Sequence, residues 1–173
     1  MEIKRLVVGT LDTNCYILIK NNNVLVIDPG GDYNKIINEI GDNKVIGVLV
    51  THNHFDHVGA LSNFDKDIIY NKGNLDEKEY EISDFNFEVI YTPGHTSDSV
   101  SYYFKEIDSL FCGDFIFYES IGRCDLPTGD FNIMKESIDK IMKYPKNTKI
   151  YPGHDISTTL MHEIENNVYF KEV

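Results

Sequence analysis

His52-Asn53-His54-Phe55-Asp56-His57, directly after Thr51, packs three imidazoles and a carboxylate into six positions. Borderline divalent cations bind this mixture of nitrogen and oxygen donors. In an extended segment residues i and i+2 project to the same side, so His52 and His54 can grip one ion while Asp56 and His57 point toward a second. A solvated polar loop accounts for one isolated histidine, but not for four ligand-type residues so close together. The remaining candidates share a single context: Thr92-Pro93-Gly94-His95, Phe111-Cys112-Gly113-Asp114 and Tyr151-Pro152-Gly153-His154 each place a His or Asp directly after a Gly, just past an expected strand. Strand ends at one edge of a sheet are where sites assemble, and Gly lets the backbone turn sharply enough to aim the next side chain inward. His52, His54, Asp56, His57, His95, Asp114 and His154 suffice for two ions that share a bridging ligand.

The elements that must position these residues are mostly strands. Ile3 to Val8, Cys15 to Lys20 and Val24 to Asp28 are rich in β-branched and aromatic residues, and Asn21-Asn22-Asn23 suits a hairpin turn. Tyr33, Ile36, Ile37 and Ile40 recur at helical spacing before Gly41, which predicts a helix near 33–40. Val45 to Val50 reads as a strand buried on both faces, feeding the loop that holds Thr51 to His57. Short strands follow near 68–71, 79–82, 87–91, 100–104 and 110–112. Asp130 caps a helix with Ile133, Met134, Ile138, Ile141 and Met142 on one face. Lys149 to Tyr151 forms a last strand, and 157–168 reads as helical. Strands dominate each half and a helix closes each half, which predicts two packed sheets with helices outside.

Composition excludes several classes of function. The 173 residues hold 16 Lys+Arg against 28 Asp+Glu, a net charge of −12, and the hydrophobic share of 42% is that of a folded globular chain. With Arg5 and Arg123 the only arginines, there is no phosphate-neutralising surface, so nucleic acid is not an expected partner. No apolar run is long enough for a membrane span and the N-terminus lacks an export segment, so a cytoplasmic location is expected. Cys15, Cys112 and Cys124 are too few and scattered for a disulfide framework.

Taken together, these residues resemble the metallo-β-lactamase superfamily and, within it, the short glyoxalase II-like (hydroxyacylglutathione hydrolase-like) group. The His-x-His-x-Asp-His signature is His52, His54, Asp56 and His57; His95, Asp114 and His154 match the later ligands. Asn14-Cys15-Tyr16, Val26 to Asp32, Ser120 to Arg123 and Asp125-Leu126-Pro127 extend the likeness over essentially the whole chain. The resemblance implies an α/β fold, an αββα sandwich of two mixed β-sheets with helices on the outer faces, over one domain spanning 1–173. It implies a first metal on His52, His54 and His95, a second on Asp56, His57 and His154, and Asp114 as bridge. The metals expected are two divalent ions, zinc first, with iron or manganese accepted by the same donors.

The implied activity is hydrolysis of small anionic thioesters, S-lactoylglutathione or an analogous acyl-thiol, by a metal-bridging hydroxide that Asp56 orients. A thiolate departs without prior protonation, which favours thioesters over amides. The longer glyoxalase II proteins carry a C-terminal helical domain that supplies part of the glutathione site; this chain ends 19 residues after His154 and is expected to lack it, so glutathione specificity does not carry over. Arg123 sits in Ile-Gly-Arg, where that group has a basic residue contacting the glutathione carboxylate; it either binds substrate or pairs with Asp125 or a nearby Glu. Cys112 is expected in the core, Cys124 at the pocket rim and His162 on the surface. The alternatives are a persulfide dioxygenase using one iron, and a non-catalytic metal-binding protein of the same fold. A β-lactamase ranks lower, because Asp114 stands where di-zinc lactamases commonly have Cys. Oligomeric state is not readable from the sequence.

Overall fold

A computed structural model describes residues 1–173. The first sheet joins β1 (Glu2–Val8), β2 (Thr13–Lys20), β3 (Asn23–Ile27), β4 (Lys44–Leu49) and β5 (Ile69–Tyr70) in that order, with α1 (Tyr33–Ile40) between β3 and β4 and the single turn α2 (Phe55–Val58) after β4. Its first two pairings are antiparallel and its last two parallel. Then come β6 (Glu79–Ile82), β7 (Phe85–Tyr91), β8 (Val100–Phe104), β9 (Ser109–Gly113), the small hairpin β10 (Ile116–Phe117) and β11 (Ser120–Ile121), α3 (Phe131–Ile141), β12 (Lys149–Pro152), β13 (Thr158–Thr159) and α4 (Leu160–Asn166). The second sheet runs β13-β12-β9-β8-β7-β6, antiparallel except for β12 beside β9.

Alternation along the strands generates the four layers. Tyr16, Leu18, Leu25, Ile27 and Leu49 face Tyr102, Phe104 and Phe111 between the sheets. The intervening residues Cys15, Ile17, Val24, Val26 and Val48 pack outward on Ile36 and Ile40 of α1. On the other side Ile90, Leu110, Cys112 and Ile150 meet Met134, Ile138 and Ile141 of α3. A strand covered on both faces carries apolar residues at nearly every position, and β2, buried from Thr13 to Leu18, shows it. The fold is thus the expected αββα sandwich. Asp130 caps α3 as predicted, its carboxylate accepting from the backbone N–H groups of Asn132 and Ile133. No helix is long and apolar enough to cross a membrane.

Three local expectations need correction. The strand before the histidine cluster is buried only at its C-terminal half, Gly47 to Leu49, because Lys44 to Ile46 run near the sheet's rim. Thr158 and Thr159 are not helical: these β-branched residues pair with Ile150 and Lys149, and α4 begins at Leu160, capped by Thr159. Residues 55–58 form a helical turn instead of loop, closed by the His57 N–H donating to the His54 carbonyl at 2.9 Å.

Candidate metal centre

All seven donors gather where β4, β7, β9 and β12 end. His52 and His54 lie in the extended segment after β4, and turn α2 carries Asp56 and His57 away from that line. His95, Asp114 and His154 follow β7, β9 and β12. Gly94 and Gly113 stand at φ 144° and 53°, the turning role expected of them. Gly153 acts differently: it is not left-handed, but a Cβ there would lie 2.3 Å from Asp114 Oδ1 and 2.6 Å from His57 Cε1. Its bare backbone leaves room for the centre itself. Gly153→Ala is therefore expected to lower metal occupancy and to reduce activity about 10–100-fold while the chain still folds, as metal analysis and kinetics of the variant will show.

Three groups of donor atoms lie within 4.8 Å of one another: His52, His54 and His95; His52, His57 and Asp114; and Asp56, His57 and His154. His54 Nδ1 is 3.1 Å from His52 Nε2 and 2.9 Å from His95 Nε2. Asp114 reaches toward both sides, Oδ1 lying 3.2 Å from His57 Nε2 and 3.6 Å from His154 Nε2, and Oδ2 3.6 Å from His95 Nε2. Asp56 Oδ2 lies 3.2 Å from His154 Nε2.

The hydrogen bonds behind these rings set their tautomers. His57 Nδ1 lies 2.9 Å from Asp28 Oδ2, and a carboxylate only accepts, so Nδ1 holds the proton. The neutral ring then presents a bare Nε2 to Asp114 Oδ1 and, at 3.4 Å, to Asp56 Oδ2. His95 Nδ1 donates to the Arg123 carbonyl at 2.7 Å, which leaves its Nε2 bare as well. His57 Nε2 and Asp114 Oδ1 are the buried side-chain polar atoms that find no hydrogen-bond partner. Acceptors facing acceptors in a buried space call for a cation between them, so the residues fit divalent metal ions.

In the protein without metal a second proton, on His57 Nε2, takes the cation's place opposite Asp114. Burial opposes charge on His57, but the Asp28 and Asp114 carboxylates outweigh it and hold the imidazole up to about 10. Burial also works against the Asp114 carboxylate, yet the hydrogen bond and charge of His57 bring it down to about 2. For Asp56, burial is overcome by His154, His57 and Thr13, and the carboxyl stays below its usual range. His52 is pushed well below the ordinary histidine value by burial and by His57, so its ring stays neutral and keeps one nitrogen lone pair free.

Several supporting residues lie in or beside stretches that carry the family likeness, but the sequence assigned them no role. Asp28, in the left-handed conformation at φ 50°, accepts from Thr51 N–H at 2.8 Å and from Thr51 Oγ1 at 2.6 Å in addition to His57. Thr13 Oγ1 donates to Asp56 Oδ2 at 2.9 Å. Tyr16 OH and Asn14 Nδ2 both donate to the Pro152 carbonyl, at 2.6 and 3.0 Å, and fix the backbone just before His154. A carboxylate immediately past a buried apolar run was the one local signal available for Asp28.

The cluster forms the floor of a cavity of about 550 Å³, walled by Leu11, Phe55, Phe117, Ile121, Leu126 and Arg123. The Arg123 guanidinium is bound bidentately by Asp125, Nε to Oδ1 at 2.7 Å and Nη2 to Oδ2 at 2.8 Å. Cys112 is buried in the core, where burial pushes its thiol up to about 12, and Cys15 is raised the same way. Burial raises the half-buried Cys124 thiol too, so no thiol is poised as a nucleophile. His162 stacks on Tyr118 and faces Glu119 Oε1 at 3.0 Å, outside the donor cluster.

Known proteins resemble the chain in sequence and in fold. The family described as the Metallo-beta-lactamase superfamily matches residues 8–85 and 74–154. The chain is 31% identical to "Probable metallo-hydrolase YqgX" of Bacillus subtilis, covering 98% of this chain and 97% of that one. It is 28% identical to "Hydroxyacylglutathione hydrolase GloC" of Haemophilus influenzae over 98% of both. The crystal structure of BLEG-1 B3 metallo-beta-lactamase superposes with a TM-score of 0.90 at 30% identity, over 97% of this chain and 99% of that chain. By sequence and fold, the chain belongs to the metallo-β-lactamase superfamily, a family of metal-dependent hydrolases.

Proposed function

We propose that this protein is a dinuclear metal-dependent hydrolase of small thioesters, of the hydroxyacylglutathione hydrolase type. The observation that carries the reading is Asp114, whose two oxygens face different sets of donors at the cavity floor. His52, His54 and His95 would hold one ion, Asp56, His57 and His154 the other, with Asp114 between them. Two divalent cations bound there supply an acidified water as nucleophile and charge to stabilise a tetrahedral oxyanion. Zinc is the first expectation; iron and manganese suit the same donors.

The remaining chemistry belongs to the chain. Asp56, kept ionised and steadied by Thr13, accepts a hydrogen bond from the attacking water and sets its direction. Asp28 holds His57 with Nε2 turned to the centre. Ser120 is the one Ser or Cys lining the cavity and no base is hydrogen-bonded to its hydroxyl, so direct hydrolysis is the consistent route. A thiolate, whose conjugate acid has a pKa of about 8.5, leaves without a general acid. The cavity walls offer apolar side chains, Ser120 and Arg123 but no second acid beyond the donors themselves. The likeness to GloC supports this substrate class.

The test is a substrate panel on purified protein of known metal content: S-lactoylglutathione, other acyl-thiols, a lactone, a β-lactam, and a persulfide with oxygen uptake recorded. Thioester hydrolysis well above background, and above every other class, is expected. Oxygen uptake with the persulfide and no thioester turnover would instead indicate the one-iron dioxygenase.

A further inference from the structure

Next to the reaction cavity lies another of about 440 Å³, and the two share Leu11 and His154, so they are arms of one cleft that meet at the donor cluster. Arg5 is the one Lys or Arg in this arm, as Arg123 is in the other. The two arginines differ in what they already hold. Arg123 is closed by its fork to Asp125. Arg5 donates through Nη1 to the Asp155 carbonyl at 2.8 Å and has no carboxylate oxygen within 4.0 Å, although Asp12 and Asp155 also line the cavity.

That single contact has a structural consequence. Asp155 follows His154 directly, stands at φ 62°, and its carbonyl also accepts from Asn14 Nδ2 at 3.0 Å. The Arg5 side chain is therefore pinned at one corner beside a donor of the metal centre, with its other N–H groups unengaged by the protein. A guanidinium in that state offers a planar fork matched to a carboxylate. The chain as a whole carries −12, so an anionic substrate approaches against the overall field and depends on local cations for its orientation.

We infer that Arg5 is the anchor for a carboxylate carried by the substrate away from its thioester, so that the second arm of the cleft is an anion subsite. The thioester comes from the function proposed above; the subsite stands on Arg5 and the shared cleft.

The experiment measures binding of S-methylglutathione, a thioether that cannot be hydrolysed as a thioester, and of its diethyl ester to zinc-loaded protein by calorimetry. The wild type is expected to prefer the acid about tenfold or more, the scale of one charge-assisted carboxylate contact. Arg5→Ala should bring the acid-to-ester ratio close to 1, Arg5→Lys should keep part of it, and added salt should reduce it in the wild type. A merely structural role for Arg5, through its contact beside His154, would weaken acid and ester together and leave the ratio intact; that result overturns the inference. So does a ratio that collapses in Arg123→Ala and not in Arg5→Ala, or a wild type that does not discriminate. Thioester turnover is scored separately: a protein that prefers the acid but hydrolyses no thioester loses the proposed function and keeps the subsite.

Discussion

Asp114→Ala is expected to lower hydrolysis by about 10³-fold or more and to leave the protein with less than its full complement of metal. The reason lies in what the carboxylate faces. Its Oδ1 approaches His57 and His154 while its Oδ2 approaches His95, so removal would take a donor from both sides and negative charge from between the two cations proposed there. The remaining donors are imidazoles and Asp56, and with one carboxylate the repulsion between adjacent dications is poorly offset. Asp114→Asn separates charge from ligation, because the amide oxygen can still coordinate. It should retain more metal than the alanine variant yet remain severely impaired. Metal analysis beside kcat for the two variants checks this; wild-type activity in Asp114→Ala would remove Asp114 from the centre.

The next largest effect is expected at Asp28, which approaches no other donor of the cluster but His57. Its carboxylate accepts on both oxygens, from Thr51 N–H and Oγ1 and from His57 Nδ1. Asparagine keeps the size and tolerates the left-handed backbone, but its amide has one acceptor and one donor. Whichever way it lies, its NH₂ faces a buried donor, Thr51 N–H or His57 Nδ1–H. That mismatch costs about 1–3 kcal/mol of stability and frees His57 to place its proton on Nε2, where it competes with metal. Asp28→Asn should therefore weaken metal affinity about 10–100-fold, with the loss partly recovered at high metal concentration. Competition with a chelator measures the affinity, and thermal unfolding in the absence of metal measures the stability term.

The contrast between Asp114 and Asp28 explains which parts of the centre were legible in the sequence. His52 to His57 are ligand-type residues at short spacing, and Gly-His and Gly-Asp steps after apolar runs marked His95, Asp114 and His154. Both signals are local. Asp28 acts through a contact 29 residues away, and Asn14 and Tyr16 hold the Pro152 carbonyl across 138 and 136 residues. Nothing in the neighbourhood of Asn14 or Tyr16 announces such contacts. In the fold, long strands and the helices α1 and α3 follow from periodicity because their buried faces span several turns or pleats. The hairpin of β10 and β11 and the pair at Thr158–Thr159 involve two residues per strand, too short for a period to register. The αL residue Asp28 and the close approach at Gly153 are likewise decided by tertiary packing.

Titrating metal back into the chelated protein while following release of thiol from S-lactoylglutathione decides whether two ions and a thioester belong to this centre. Little activity is expected without metal, then a rise that continues to about two equivalents per chain, and renewed loss on chelation. Activity complete at one equivalent would contradict a dinuclear centre, and background rates with both sites filled would contradict thioester hydrolysis on this substrate.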